Sequence, residues 1–81
     1  MRLRIRVFAA AKEWAKASTI ELDVPSGATV ADVRNALLVR VPRLAEFEPQ
    51  LRLAVDAEYV DDATVIFPGA DVACIPPVSG G

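Results

Sequence analysis

The stretch TVADVRNALLVRVP, Thr29 to Pro42, is where the fold of this chain is decided. Val30, Val33, Leu37 and Val41 recur at the spacing that places them in one stripe of a helix. Thr29 is placed to accept a hydrogen bond from the amide of Asp32, and the Asp32 carboxylate suits the positive start of a helix. Pro42 ends the run, because its ring removes the backbone donor that a further turn would need. The spacing therefore predicts one helix of about four turns whose single apolar stripe must be covered by something else.

The flanking segments supply the cover. Upstream, Arg2 to Phe8 puts Leu3, Ile5 and Val7 on one side and Arg2, Arg4 and Arg6 on the other, the period of two of a half-buried strand. Ala9 to Ala17, AAAKEWAKA, consists of strong helix formers around Trp14 and reads as a short helix with Trp14 at the edge of the core. Thr19 to Val24 alternates again through Ile20, Leu22 and Val24, and Pro25-Ser26-Gly27 makes a turn.

Downstream of Pro42, a loop carrying Leu44, Phe47 and Pro49 leads into LRLAV, which faces Leu51, Leu53 and Val55 one way as a third strand. DAEYVDDAT reads as a polar turn region around a short strand piece at Tyr59-Val60. Pro68-Gly69 suits the centre of a type II turn, and DVACI, Asp71 to Ile75, is a last strand stopped by Pro76-Pro77.

A long helical crossover favours a parallel neighbour and short turns favour antiparallel ones, so the sheet is expected to be mixed. The arrangement is an α+β fold, a β-grasp or ubiquitin-like roll, with a mixed sheet packed against one main helix plus a short helix. Residues 1–75 form this domain and residues 76–81 an extended tail ending in Gly-Gly.

With 81 residues there is room for one domain only. A domain of this size hides only roughly 60 % of the surface its unfolded chain exposes, yet 53 % of the residues are apolar. Either the core is dense or part of the apolar surface belongs to a partner. The formal charge of −2, with Arg and Lys scattered, gives no footprint for nucleic acid. No run approaches the length of a membrane span, and the start of the chain lacks the apolar core of a signal peptide; the cytoplasm is the expected location.

Several chemistries are excluded by residue type. The chain has no histidine, which removes Ser-His and Cys-His pairs and the usual neutral-pH base. One cysteine, Cys74, can form no internal disulfide and no ordinary zinc site, and within the last strand it reads as a small buried apolar group. Asp56, Glu58, Asp61 and Asp62 lack the glycine turn and bidentate Glu of a calcium loop and read as a solvated turn, so no metal is expected. Arg2, Arg4 and Arg6 are what an outward sheet face needs, and would also serve an acidic partner.

What remains is the ending PPVSGG. Pro76 and Pro77 fix φ and favour an extended exit, so the tail is projected from the sheet, and six residues at ~3.3 Å each reach roughly 20 Å. Gly80 and Gly81, lacking Cβ, suit a narrow channel in another protein. The α-carboxylate of Gly81, with a pKa of ~3.5, is a poor electrophile until one oxygen becomes a leaving group. Joining it to AMP does that, and a sulfur nucleophile attacking the acyl-adenylate would leave a thiocarboxylate.

The residues Pro76-Pro77-Val78-Ser79-Gly80-Gly81, preceded by Gly69, Asp71 and Val72, together with the opening IRVFAAAKEWA, resemble the small subunits of molybdopterin synthase, the MoaD-type sulfur carriers, over essentially the whole chain. The resemblance implies a β-grasp fold and a non-catalytic subunit. Its terminal glycine, here Gly81 supported by Gly80, is adenylated by a ubiquitin-activating-like adenylyltransferase using ATP and then converted to thiocarboxylate. It further implies insertion of the tail into a large catalytic subunit, two large with two small, and sulfur transfer to cyclic pyranopterin monophosphate to form the molybdopterin dithiolene. No bound cofactor is implied. Where the family often has Asp-Gly-Asp and aromatic residues before the double proline, this chain has Pro68-Gly69-Ala70-Asp71 and Cys74-Ile75.

Phe8, Phe67, Ile75, Pro76, Pro77, Val78 and Ser79 are the expected partner contacts. Sulfur carriage for thiamine, cysteine or tRNA thiolation shares the fold and the Gly-Gly end, and a ubiquitin-like modifier joined to lysine through Gly81 is the alternative from a different class. An inert binding module would leave the proline exit and the glycine terminus without a physical cause.

Overall fold

A computed structural model describes residues 1–47 and 51–76. Eight elements follow one another: β1 (Arg2–Val7), α1 (Ala9–Ala15), β2 (Thr19–Asp23), α2 (Val30–Arg40), a 3-10 helix (Pro42–Phe47), β3 (Arg52–Val55), β4 (Glu58–Tyr59) and β5 (Val72–Ile75). The strands form one mixed sheet in the order β2-β1-β5-β3-β4. β1 and β5 run parallel, and every other neighbouring pair is antiparallel.

α2 starts where the sequence places it. Thr29 Oγ1 accepts the amide of Asp32 at 3.3 Å while Asp32 Oδ2 accepts the amide of Thr29 at 2.9 Å. Such a reciprocal cap satisfies two otherwise orphaned donors and stabilises a helix by about 1 kcal/mol. The helix has 11 residues, about three turns rather than four, because the residue before a proline is driven out of the helical region. Val41 accordingly has φ −131 and ψ 82, yet its side chain stays buried with Val30, Val33 and Leu37.

Beyond Pro42 the expected loop is a 3-10 helix. Leu44 on it is fully buried, and Phe47 stacks on Trp14 with ring centroids 5.1 Å apart and planes inclined by 14°. The Arg43 guanidinium lies 4.2 Å from the centroid of the Trp14 ring. Trp14 thus fastens α1 to the 3-10 helix at the core's edge, while Pro49 lies outside the described residues.

α1 is shorter than the run of helix formers, because Lys16 turns left-handed at φ 57 and ψ 34. The amides of Lys16 and Ala17 donate to the carbonyls of Glu13 and Lys12, which closes the helix end. The two turns near β5 also behave as expected. Gly69 has φ +85 and the Ala70 amide donates to the Phe67 carbonyl at 3.1 Å, a type II turn. Asp56 and Ala57, between the paired Val55 and Glu58, have φ 51 and 69, the mirror-image turn whose twist matches a tight hairpin.

Register sorts the side chains by face. Leu3 faces Leu22, Ile5 faces Ile20 and Val72, and Cys74 lies between Val7 and Leu53; all are buried under α2. No polar or charged side chain is buried among the described residues. The segment around Ile66 closes the open end of this layer. Its amide donates to the Ala28 carbonyl at 2.9 Å and the Val30 amide to the Thr64 carbonyl at 2.9 Å, which fixes the start of α2.

Candidate functional site

Among the described residues the outer face of the sheet carries no helix. Along it, pairing aligns Thr19, Arg6, Ala73, Ala54 and Tyr59 in a row that crosses all five strands. The next row toward the end of β5 pairs Ile75 with Arg52. Phe8 continues the outward series of Arg2, Arg4 and Arg6 in an extended conformation.

The two alanines make a low floor, and larger groups stand around it. Phe8, Ile75, Tyr59, Ala57 and Arg6 enclose, with Ala54 and Ala73, a depression of about 230 Å³. Phe8 is 42 % and Tyr59 57 % exposed, while the floor alanines are nearly covered. The Arg6 guanidinium sits 5.7 Å from the Phe8 centroid and that of Arg52 5.0 Å from the Tyr59 centroid, so each aromatic carries a cation over its face. Pro76, buried, follows Ile75 at the rim.

Arg6 divides this apolar half from a polar half. Its Nε and Nη2 donate to the two carboxylate oxygens of Asp71 at 3.0 and 2.7 Å. Asp71 in turn donates its amide to Asp56 Oδ1 at 3.0 Å, and the Asp56 amide donates to the Asp71 carbonyl at 2.8 Å. This chain of contacts holds the hairpin turn, and with it the Ala57 methyl, against the depression. On the polar side Arg2 pairs with Asp23 at 3.1 Å and Glu21 at 3.7 Å, and a second hollow of about 510 Å³ runs between these groups and Gly69.

Neither a cysteine nor a carboxylate lines the depression. Cys74 points to the inner face, where burial pushes its thiol up to about 11 against a smaller opposing pull from Arg34, so it stays protonated. The turn carboxylates are separately engaged. Asp62 accepts from Arg34 at 2.7 Å, which holds its carboxyl below the usual range, and Asp61 accepts from the Ala63 amide and the Thr64 hydroxyl, both at 3.1 Å. Among the described residues no cluster of three or more His, Cys, Asp or Glu could hold a metal ion. No helix among them is long and apolar enough to cross a membrane.

The structure brings Phe8, Ile75 and Pro76 together at one end of the sheet. Phe67, 71 % exposed, lies in the turn that feeds the other end of β5 and is not part of the depression. Pro77, Val78, Ser79, Gly80 and Gly81 lie outside the described residues. Tyr59, Ala54, Ala57, Ala73 and Arg52 belong to the site and were not singled out by sequence. The signal was available in the alanines of LRLAV and DVACI, which occupy outward positions that arginines hold elsewhere.

Comparison with known proteins adds a family. The profile described as "ThiS family" matches residues 5–81. A molybdopterin synthase sulfur carrier subunit of Arabidopsis thaliana is 31 % identical over 81 residues, covering 100 % of this chain and 84 % of that protein. The crystal structure of SAMP1 from Haloferax volcanii superposes with a TM-score of 0.86 at 27 % identity over 100 % of both chains. A protein-protein complex of subunits 1 and 2 of molybdopterin-converting factor from Helicobacter pylori contains a chain that matches at TM-score 0.67 and 22 % identity, again over 100 % of both.

Proposed function

The chain belongs to the ThiS family, and from that membership we propose that it is the sulfur carrier subunit of a molybdopterin synthase, acting in the cytoplasm. The observation that carries the reading is the end of β5. Ile75 and Pro76 bring the chain out beside an apolar, half-exposed depression on the sheet face that carries no helix among the described residues.

Gly81 is the acceptor of activation in this proposal. Its carboxylate oxygen attacks the α-phosphorus of ATP in the active site of an adenylyltransferase, and pyrophosphate leaves. Hydrogen sulfide, or a donor that delivers sulfur at the sulfide level, then attacks the acyl carbon and AMP leaves with the bonding pair, which gives the thiocarboxylate. That sulfur passes to cyclic pyranopterin monophosphate in the large subunit, where two carriers serve two transfers.

The domain contributes position rather than catalysis. Phe8, Tyr59 and Ile75 offer a partner roughly the kind of rigid apolar contact that dominates interface energetics, and Arg6 and Arg52 supply orientation at its border. Pro76 follows Ile75 at the rim, and in this proposal Pro77, Val78, Ser79 and Gly80 enter a partner's channel and carry Gly81 to the reacting centre.

The test is the intact mass of the chain after incubation with an adenylyltransferase of the same family, ATP and a sulfur donor. Replacement of one oxygen by sulfur at Gly81 is expected. An unchanged mass, with pyrophosphate exchange demonstrably active, overturns the reading.

A second reading rests on the likeness to SAMP1, a small archaeal modifier protein. In it the same activated Gly81 is joined to lysine side chains of other proteins, and adducts linked through Gly81 in cell extracts would distinguish it.

A further inference from the structure

The cationic side chains of this protein are divided unevenly by chemistry. Of the nine Lys and Arg residues, the two lysines are Lys12 and Lys16 and every other one is an arginine. Both lysines stand on α1, Lys12 within the helix and Lys16 at its left-handed end. Both side chains are exposed, and among the described residues no hydrogen bond or ion pair engages either ε-amine.

Nucleophilicity separates the two residue types. A guanidinium stays charged at all accessible pH and its nitrogens are delocalised, whereas a lysine amine can shed its proton and attack a carbonyl. The remaining amine, that of Met1, donates to the Val24 carbonyl in the β1–β2 pairing and is partly buried. The outer sheet face and α2 therefore present no free amine at all.

α1 also lies at the end of the molecule from which the tail leaves. β1 and β5 are parallel, Val7 pairs with Cys74, and Phe8 alone separates β1 from α1, which packs against β5. Five residues follow Pro76 and can span at most ~17 Å, more than the ~10 Å length of α1. An activated C-terminal glycyl carbonyl, whether of the same copy or of a second copy docked at this end, meets there the two lysine amines of the chain among guanidinium groups that do not compete as nucleophiles.

We propose that Lys12 and Lys16 are the acceptor sites through which this chain is acylated by its own activated C-terminus when sulfur is not supplied. The neutral ε-amine attacks the Gly81 acyl carbon of the adenylate, a C–N bond forms, the bond to the AMP oxygen breaks, AMP takes the electron pair and the amine's proton passes to water. The proposal rests on adenylation of Gly81, and its test separates the two ideas.

The full chain is incubated with an adenylyltransferase of the family and ATP, without a sulfur donor, and followed by pyrophosphate exchange, intact mass and peptide mapping. The expected product is an isopeptide between Gly81 and Lys12 or Lys16. A covalent dimer reports attachment between copies, and a monomer lighter by one water reports attachment within one. The paired substitution Lys12→Arg and Lys16→Arg keeps the charge, and is expected to retain exchange and lose the linked product. Exchange without any linked product, or a product mapped to Met1 or surviving the paired substitution, overturns the inference alone. Absence of exchange overturns the adenylation reading and the inference with it.

Discussion

Arg6 grips Asp71 with two parallel hydrogen bonds, 3.0 and 2.7 Å long, across the parallel junction of β1 and β5. The pair joins residues 65 positions apart and marks the border between the polar and apolar halves of the outer face. Both side chains are about half exposed, so water screens the pair and its worth is positional more than energetic.

A double-mutant cycle on Arg6→Ala and Asp71→Ala is therefore expected to give a coupling energy below ~1 kcal/mol in urea unfolding. A coupling of several kcal/mol would show that the bridge is far better shielded than its exposure implies.

Ile75→Asp puts a charge on the rim of the depression, beside the tail exit. Under the proposed function, affinity for a large subunit is expected to fall at least about a hundredfold, since desolvating an unpaired charge at an interface costs a few kcal/mol. Titration calorimetry against the large subunit measures it, with circular dichroism as the control for folding. Unchanged affinity would move the docking surface elsewhere.

Ala57 holds φ 69 at a turn position that glycine occupies without strain. Ala57→Gly is expected to raise stability by about 0.5–1 kcal/mol, read as a higher urea midpoint with an unchanged slope.

Leu37 is fully buried on the stripe of α2 that covers the sheet. Leu37→Ala is expected to cost about 2–5 kcal/mol through lost transfer energy and the cavity left behind, a large fraction of the stability of a domain this small.

Cys74 adds a pH dependence of known sign. Its thiol is raised from 9.0 to about 11 in the fold, so the folded state retains a proton that the unfolded state releases sooner. The stability it contributes is complete below pH 9 and is lost as the pH rises toward 11. Urea midpoints measured across that window should fall, and Cys74→Ala should flatten the decline. In the native state the thiol is expected to react slowly with thiol reagents at neutral pH.

Most of the fold was legible in the sequence, and particular residues explain why. The period of two in Leu3, Ile5 and Val7, the stripe through Val30, Val33 and Leu37, and the Pro68-Gly69 turn are local patterns with local causes, and each element lies where its pattern placed it. The 3-10 helix after Pro42 has no local signature because its cause is tertiary: Leu44 enters the core and Phe47 meets Trp14. The site was harder. That Ala54 and Ala73 lie side by side follows from the pairing of β3 with β5, which no local pattern contains, and Tyr59 joins them only through the register of β4. Phe67 is aromatic and close in sequence to β5, but a four-residue strand separates its turn from the tail exit.

The strand order makes closure of the sheet depend on the last of the described strands. β5, made after all the other strands, takes the place between β1 and β3, so until it arrives the sheet is two separate hairpins with unpaired edges. The pairing of Ile5 with Val72 can form only once β5 has left the ribosome, and contacts of that sequence separation are the slow ones to close. A partner that grips the Phe8–Ile75 surface would read a contact assembled from the first and last strands described, and so would engage the chain only after β5 has closed the sheet.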